Sequence, residues 1–320
     1  MKFIAEFCQN HLGDRKILEN QIVTAKENGA YFGKIQGLYS DELVKRNQFE
    51  RQPNSMKLDT KIIRPFEDEY KRLKDLDLSI DDEKWFINKC MEYDLKPMIT
   101  VFTHGGAKRA YELGFKHIKI ASYDCESIPL IKKVMSFAHT LIISTGATSW
   151  EGVAKTAQLL HNFKGRELEL AFLHATTIYP TSINELSMMR MLALKMFGFN
   201  IGYSDHTPPL NTSLFASKLA IFYGAKYIER HFTVLSKDET KDGPVSINGN
   251  ELKELLEFSQ WTPIEQSNYL RNNYSKEFYS TIVNTNIDPT AVEIRNKEYY
   301  KGRVATYINN VPIYSWEEYG

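Results

Sequence analysis

Cysteine is scarce in this chain of 320 residues, with Cys8, Cys90 and Cys125 the whole complement. Three is an odd number, the three lie far apart, and no two have the spacing of a zinc-ligand pair. A disulfide framework is therefore excluded, and a reducing compartment is expected. Neither sign of charge is in excess, since Lys and Arg number 40 and Asp and Glu number 40. That balance speaks against a nucleic-acid partner or a membrane surface and in favour of a small molecule. Long apolar runs are missing too, with nothing approaching the roughly 20 residues that span a bilayer. The opening "MKFIAEFCQNHLGD" meets an acid at Glu6, before a signal peptide's apolar core could form. A cytoplasmic protein is expected. Internal repeats and low-complexity stretches are lacking, and so is a glycine-rich phosphate turn after the first strand, which disfavours a doubly wound open sheet.

What is present is the composition of a globular protein, 42% hydrophobic and 25% charged, and an alternation of short apolar runs with helical-period segments. Eight runs have strand character: residues 2–7, 31–36, 97–102, 117–122, 140–145, 168–175, 199–204 and 226–232. Helical segments separate most of them, for example "RKILENQIVTAKENG", which should close in a left-handed cap at Gly29. Eight strands with intervening helices is the count of a (β/α)8 TIM barrel. The expected organisation is a barrel domain over 1–260 and a C-terminal extension over 261–320, with two short strands around "RVATYI" and "VPIYSW". Residues 40–75 are polar, lack a strand period, and are expected to form a long loop after the second strand.

In such a barrel the chemistry gathers where strands end. Polar residues collect there: Glu6 on the first strand, Lys34 and Gln36 on one face of the second, Thr100 on the third, and Lys119 and Ser122 on the fourth. Ser144 follows on the fifth, His174 and Thr176 on the sixth, Ser204 and His206 on the seventh, and Glu229 and His231 on the eighth. Two histidines at the ends of neighbouring strands suit one divalent ion with positions left for water and substrate. Two inward lysines repel each other unless an anion lies between them, so Lys34 and Lys119 imply a phosphate or carboxylate ligand. The hydroxyls of Thr100, Ser122, Ser144 and Ser204 could complete the cradle.

These residues stand in motifs that resemble the sialic acid synthase family. "AEFCQNHLGD" is similar to AEIGxNHxGD, "GKIQ" to VKFQ, "IKIASYD" to FKIxSGE, "ISTGAT" to LSTGMA, "HATTIYPT" to HCTxxYPT, "IGYSDHT" to VGYSDHT and "IERHFT" to IEKHFT, in order from residue 2 to about 256. The resemblance implies condensation of phosphoenolpyruvate with an amino sugar aldehyde such as N-acetylmannosamine. The products would be a nonulosonic 2-keto-3-deoxy acid and phosphate, with Mn²⁺ or Mg²⁺ as cofactor and a dimer or tetramer as the assembly. It implies His206 and His231 as metal ligands. Lys34, Thr100, Lys119, Ser122, Ser144 and Ser204 then match positions that hold phosphoenolpyruvate, and Glu6, Gln36, Tyr179 and Glu229 match positions facing the sugar or the reacting centre. Glu6 is the candidate for proton transfer, and Asp242 matches the acid of the family's loop after the eighth strand.

The chain departs from the family at several points. Tyr123 and Asp124 replace Gly-Glu, Thr177 stands where Asn or Ser is usual beside phosphoenolpyruvate, and Lys241 and Gly243 flank Asp242. These changes are expected to crowd or alter the pocket. The extension is too short for the family's antifreeze-like domain, and Asp288 falls near the family's linker lysine; Lys297, Lys301 and Arg303 are the tail's candidate cations. Two alternatives stand beside the synthase: condensation of phosphoenolpyruvate with a sugar phosphate, and a non-catalytic sugar- or anion-binding barrel.

Overall fold

The computed structural model describes residues 1–50, 62–165, 167–283 and 286–319. Eight parallel strands close into a barrel in chain order: β1 (Lys2–Cys8), β2 (Phe32–Gly37), β3 (Lys96–Val101), β4 (His117–Ile120), β5 (Thr140–Ser144), β6 (Glu169–Ala175), β7 (Asn200–Asp205) and β8 (Tyr227–His231). β8 pairs back onto β1, and the expected (β/α)8 architecture is present, each strand within about two residues of its expected span.

Alternation along the strands sorts side chains between two environments. On β1, Phe3, Ala5 and Phe7 face the helices. Ile4 belongs to the barrel interior with Phe32, Met98, Ile142, Ala171, Leu173 and Tyr227. This apolar plug fills the barrel below the strand ends. The next inward positions towards the C-terminal ends are Glu6, Lys34, Thr100, Lys119, Ser144, Ser204 and Glu229, all buried.

The first helix, Arg15–Glu27, starts where the Asp14 side chain accepts the Lys16 and Ile17 N–H groups. It ends at Gly29 with φ +93°, the left-handed closure expected there, which glycine adopts without a Cβ penalty. Residues 40–75 are not wholly loop. Residues 51–61 lie outside the described residues, but Phe66–Lys74 is a helix. Its first turn is acidic and its last basic, as the helix dipole favours, and Leu73 packs with Leu38, Leu43 and Val304.

Residues 261–320 are also more ordered than expected. Helices Pro263–Asn273, Ser275–Val283 and Ala291–Tyr300 precede the hairpin of β9 (Thr306–Ile308) and β10 (Val311–Ile313), the two short strands foreseen. Asn309 and Asn310 form its tight turn at φ +48° and +65°, a conformation asparagine tolerates. The first and third of these helices open with capping boxes, Thr262 with Glu265 and Thr290 with Glu293. The hairpin carries the tail across the C-terminal face of the barrel.

Candidate active site

A cavity of about 290 Å³ opens at the C-terminal ends of the strands, and every residue that the family motifs assign to metal or substrate lines it. Glu6, Lys34, Gln36, Thr100, Lys119, Ser144, Ser204 and Glu229 come from the strands; Ser122, Thr177, Tyr179, His206 and Asp242 follow them; His231 closes β8. His174 and Thr176 do not line it, and the His174 ring instead lies tilted at 42° beside Tyr203, 5.7 Å between centroids.

The floor is an ionic lattice. Lys34 is paired with Glu6 and donates to Thr100 Oγ1 at 2.9 Å. Glu229 Oε1 lies 2.5 Å from the Lys119 ammonium and 3.6 Å from that of Lys34. The expected anion between the two lysines is thus met by a carboxylate of the chain. Burial pulls the Lys34 ammonium down to about 7, opposed by Glu229. Burial alone would raise the Glu229 carboxyl, but Lys119 and Lys34 outweigh it and bring it to about 2. The Glu229 carboxylate is therefore charged near neutral pH. Ser144 Oγ, Glu229 Oε2 and His231 Nδ1 are buried with no hydrogen-bond partner among the described residues. Buried polar atoms are rarely left so, and three of them around one cavity mark where a ligand would bond.

The two histidine rings stand 5.6 Å apart at 74°, with Tyr179 against both. His206 Nδ1 is 3.1 Å from the Thr176 carbonyl and Nε2 is 3.4 Å from Ser204 Oγ. Burial, reinforced by His231, brings His206 down to about 3, so its ring is neutral at physiological pH. Among the described residues, the donor atoms that cluster within 4.8 Å of one another are those of Cys8, His231 and Asp242. Thiol, imidazole and carboxylate together form a donor set that fits a divalent ion. Cys8 is the donor that motif reading passed over, because a lone cysteine carries no spacing signal.

The departures from the family motifs turn out to hold the tail. The Tyr123 ring stacks on Tyr300 at 5.0 Å and 11°. Asp124 Oδ1 accepts from Ser315 Oγ at 2.7 Å and Ser127 Oγ at 3.1 Å. The Thr177 N–H donates to Glu293 Oε1 at 3.1 Å, and Asn296 donates to the Thr177 carbonyl at 2.8 Å. Tyr123, Asp124 and Thr177 thus tie the tail to the barrel, and Tyr300, Gly302, Arg303, Val304 and Ser315 of the tail line the cavity.

This lining brings charge. Arg303 lines the cavity beside Arg64, Arg72 and Lys241. Glu69 accepts from Arg72 at 2.8 Å and from Arg303 at 3.2 Å. The other tail cations stand elsewhere: Lys297 pairs with Glu126 at 3.0 Å, and Lys301 lies over the Trp316 ring at 5.1 Å. Asp288 accepts from the Trp150 N–H at 3.4 Å. None of these three lines the cavity.

Comparison with known proteins agrees with this architecture. Residues 21–266 match the NeuB family. The chain is 30% identical over 262 residues to an N,N'-diacetyllegionaminic acid synthase of Legionella pneumophila, covering 79% of this chain and 70% of that protein. A protein of the same name from Campylobacter jejuni is 29% identical over 253 residues, covering 79% of this chain and 73% of that one. In fold, the chain is similar to the N-acetylneuraminic acid (sialic acid) synthetase of Leptospira borgpetersenii, with a TM-score of 0.68 at 21% identity over 86% of this chain and 92% of that one.

Proposed function

Because the chain belongs to the NeuB family, we propose that it condenses phosphoenolpyruvate with an amino sugar aldehyde, giving a sialic-acid-like 2-keto-3-deoxy acid and inorganic phosphate. The observation that carries this reading is the meeting of Lys34 and Lys119 on Glu229 inside the cavity. Two buried ammonium groups with unpartnered Ser144 Oγ beside them suit a ligand bearing carboxylate and phosphate.

In the reaction, C3 of the enol phosphate attacks the aldehyde carbon, forming a carbon–carbon bond and leaving cationic character at C2. Water adds at C2, and the C2–O bond to phosphate breaks with its electron pair departing on phosphate. The water gives up both its protons: one balances the proton taken up by the aldehyde oxygen, and the other leaves with the phosphate as C2 becomes the ketone. Glu6, buried against Lys34, is the group we assign to the first transfer. Lys34 and Lys119 hold the anion, with Thr100, Ser122, Ser144, Thr177 and Ser204 as neutral donors around it. Gln36, Tyr179 and Asp242 orient the sugar. A divalent ion held on the Cys8, His206, His231 and Asp242 side of the cavity would supply Lewis acidity to the aldehyde oxygen. Fixing two reactants in register can supply about 7 to 11 kcal/mol of a reaction barrier. We further infer a cytoplasmic homo-oligomer in which residues 261–320 extend the barrel domain. No helix among the described residues is long and apolar enough to cross a membrane.

A second reading has its own observation. Arg64, Arg72, Lys241 and Arg303 line the cavity with Asp242, and Glu69 outside it bonds Arg72 and Arg303, an excess of cations that favours an acceptor with an anionic group, such as a sugar phosphate.

The test is phosphate release from phosphoenolpyruvate with Mn²⁺, across a panel of amino sugars with mass detection of product. Release should require the sugar and should vanish in His206→Ala. Binding of phosphoenolpyruvate without turnover on any sugar would overturn the reading and leave a non-catalytic barrel.

A further inference from the structure

Cys8 occupies a costly backbone position. Its φ is +47°, in the left-handed region that residues with a Cβ seldom visit, at a point where the pairing of β1 with β2 slips by one residue. Such strain runs on the order of 1 to 3 kcal/mol and tends to persist where a side chain is being aimed. The family motif that this segment resembles has glycine there, which would take the same φ without strain. Backbone conformation gives no reason for a side chain at this position, since glycine suits the turn better. What the strained turn achieves is direction: Cys8 Sγ lies 3.0 Å from Asp242 Oδ2, and both belong to the donor cluster with His231.

The third member supplies an independent sign of a ligand. His231 is buried, and its Nδ1 has no hydrogen-bond partner among the described residues. A ring nitrogen of His231 lies within 4.8 Å of the Cys8 and Asp242 donor atoms, and a buried histidine with an unpartnered nitrogen beside a thiol and a carboxylate suits a ligand position. Three elements converge to make this set: the bulged end of β1, the end of β8, and the loop after β8.

We propose that Cys8, His231 and Asp242 together bind one divalent ion through a Cys8 thiolate, so that this protein selects a thiophilic ion such as Zn²⁺, Fe²⁺ or Co²⁺ over Mg²⁺. The ion's place in the condensation rests on the synthase reading above; the ligand set does not. On binding, the Cys8 S–H bond breaks, its electron pair forms the sulfur–metal bond, and the proton leaves to solvent. No oxidant or reductant is involved. Thiolate sulfur is the soft member of the set and discriminates against Mg²⁺, which demands hard oxygen donors and keeps its waters.

Cobalt makes the sulfur visible without any substrate. Protein stripped with a chelator and reloaded with Co²⁺ should show an intense thiolate-to-cobalt charge-transfer band in the near ultraviolet, one ion per chain, and should retain it against a large excess of Mg²⁺. Cys8→Ser should lose the band and bind Co²⁺ at least tenfold more weakly. Cys8→Gly, which the φ of +47° should accommodate, gives the same readout if the serine variant fails to fold. Cys90 and Cys125 are intact in both variants and serve as internal controls. A band that survives in both variants, or none in the parent protein, overturns the proposal, as does equal displacement of Co²⁺ by Mg²⁺ in parent and variants. Each outcome is read without turnover, so a protein that binds cobalt through sulfur but releases no phosphate would fail the synthase reading alone.

Discussion

The Lys119 ammonium lies 2.5 Å from Glu229 Oε1, so the negative charge this lysine requires inside the barrel comes from β8. Lys34 shares the same oxygen at 3.6 Å. A substrate anion must therefore compete with Glu229 for both lysines, and the lattice sets how tightly the substrate is held.

Glu229→Gln separates holding from turnover. An amide cannot neutralise two ammonium groups, so the lysines should draw phosphoenolpyruvate more strongly, on the order of tenfold in Kd or about 1.4 kcal/mol. Stability should fall by about 3 kcal/mol because a buried pair has lost one partner. Turnover should drop roughly a hundredfold if the carboxylate assists proton movement. Calorimetry, chemical denaturation and phosphate release measure the three effects. Weaker phosphoenolpyruvate binding in the variant would show that Glu229 supports the anion rather than competing with it.

Lys34 should impose a pH dependence. Its folded value of about 7 lies below the ordinary 10.5 of lysine, because burial outweighs the pull of Glu229. Between those values the unfolded chain binds the extra proton, so this group makes stability rise with pH across that window. Anion binding goes the other way, since the ammonium is lost as pH rises through about 7. Phosphoenolpyruvate affinity should fall by up to about tenfold per unit above that point. The phosphate's own second ionisation, near 6, is already complete there. Lys34→Arg keeps its charge and should flatten the profile from pH 7 to 9. A parent protein with flat affinity over the same range contradicts the assignment.

Much of this site was legible because strand register is strict. With a period of two, placing Lys34 inward also places Gln36 inward, and the same rule aligned Lys119, Ser144, Ser204, Glu229 and His231 at one mouth. Other parts obeyed no such period. Cys8 escaped because its direction depends on a bulge and a positive φ, neither of which has a pattern around it. The helix Phe66–Lys74 was hidden by its polarity, its apolar stripe being only Phe66, Tyr70 and Leu73. The tail helices could have been found from "TPIE" and "TAVE", the Thr-x-x-Glu boxes that cap the first and third of them. Few of their residues are buried, Leu270, Phe278 and Tyr299 among them, so hydrophobic periodicity was weak.

Glu293 should couple the tail to the pocket. Its Oε1 accepts from the Thr177 N–H and its Oε2 from the Thr290 N–H, so one buried side chain both starts a tail helix and fixes the loop after β6. Glu293→Ala should cost about 2 kcal/mol through the lost cap and the orphaned Thr177 donor. It should also raise KM for phosphoenolpyruvate, since Thr177 lines the cavity. A variant with lowered stability and an unchanged KM would make the tail a brace only.

The rim cations decide between neutral and anionic acceptors. Glu69 is already engaged by Arg72 and Arg303, whereas Lys241 forms no ion pair among the described residues and feels both Arg64 and Arg72 as repulsion beyond the cost of burial. An anionic group on the sugar would relieve that repulsion, and a neutral sugar would not. Lys241→Met should therefore lower kcat/KM for a 6-phosphorylated amino sugar about tenfold more than for its unphosphorylated form. Arg303→Met should act in the same direction but carry a stability cost, because Glu69 then loses a partner. If both variants slow the two sugars equally, the rim serves phosphoenolpyruvate or the fold, and the acceptor carries no second charge.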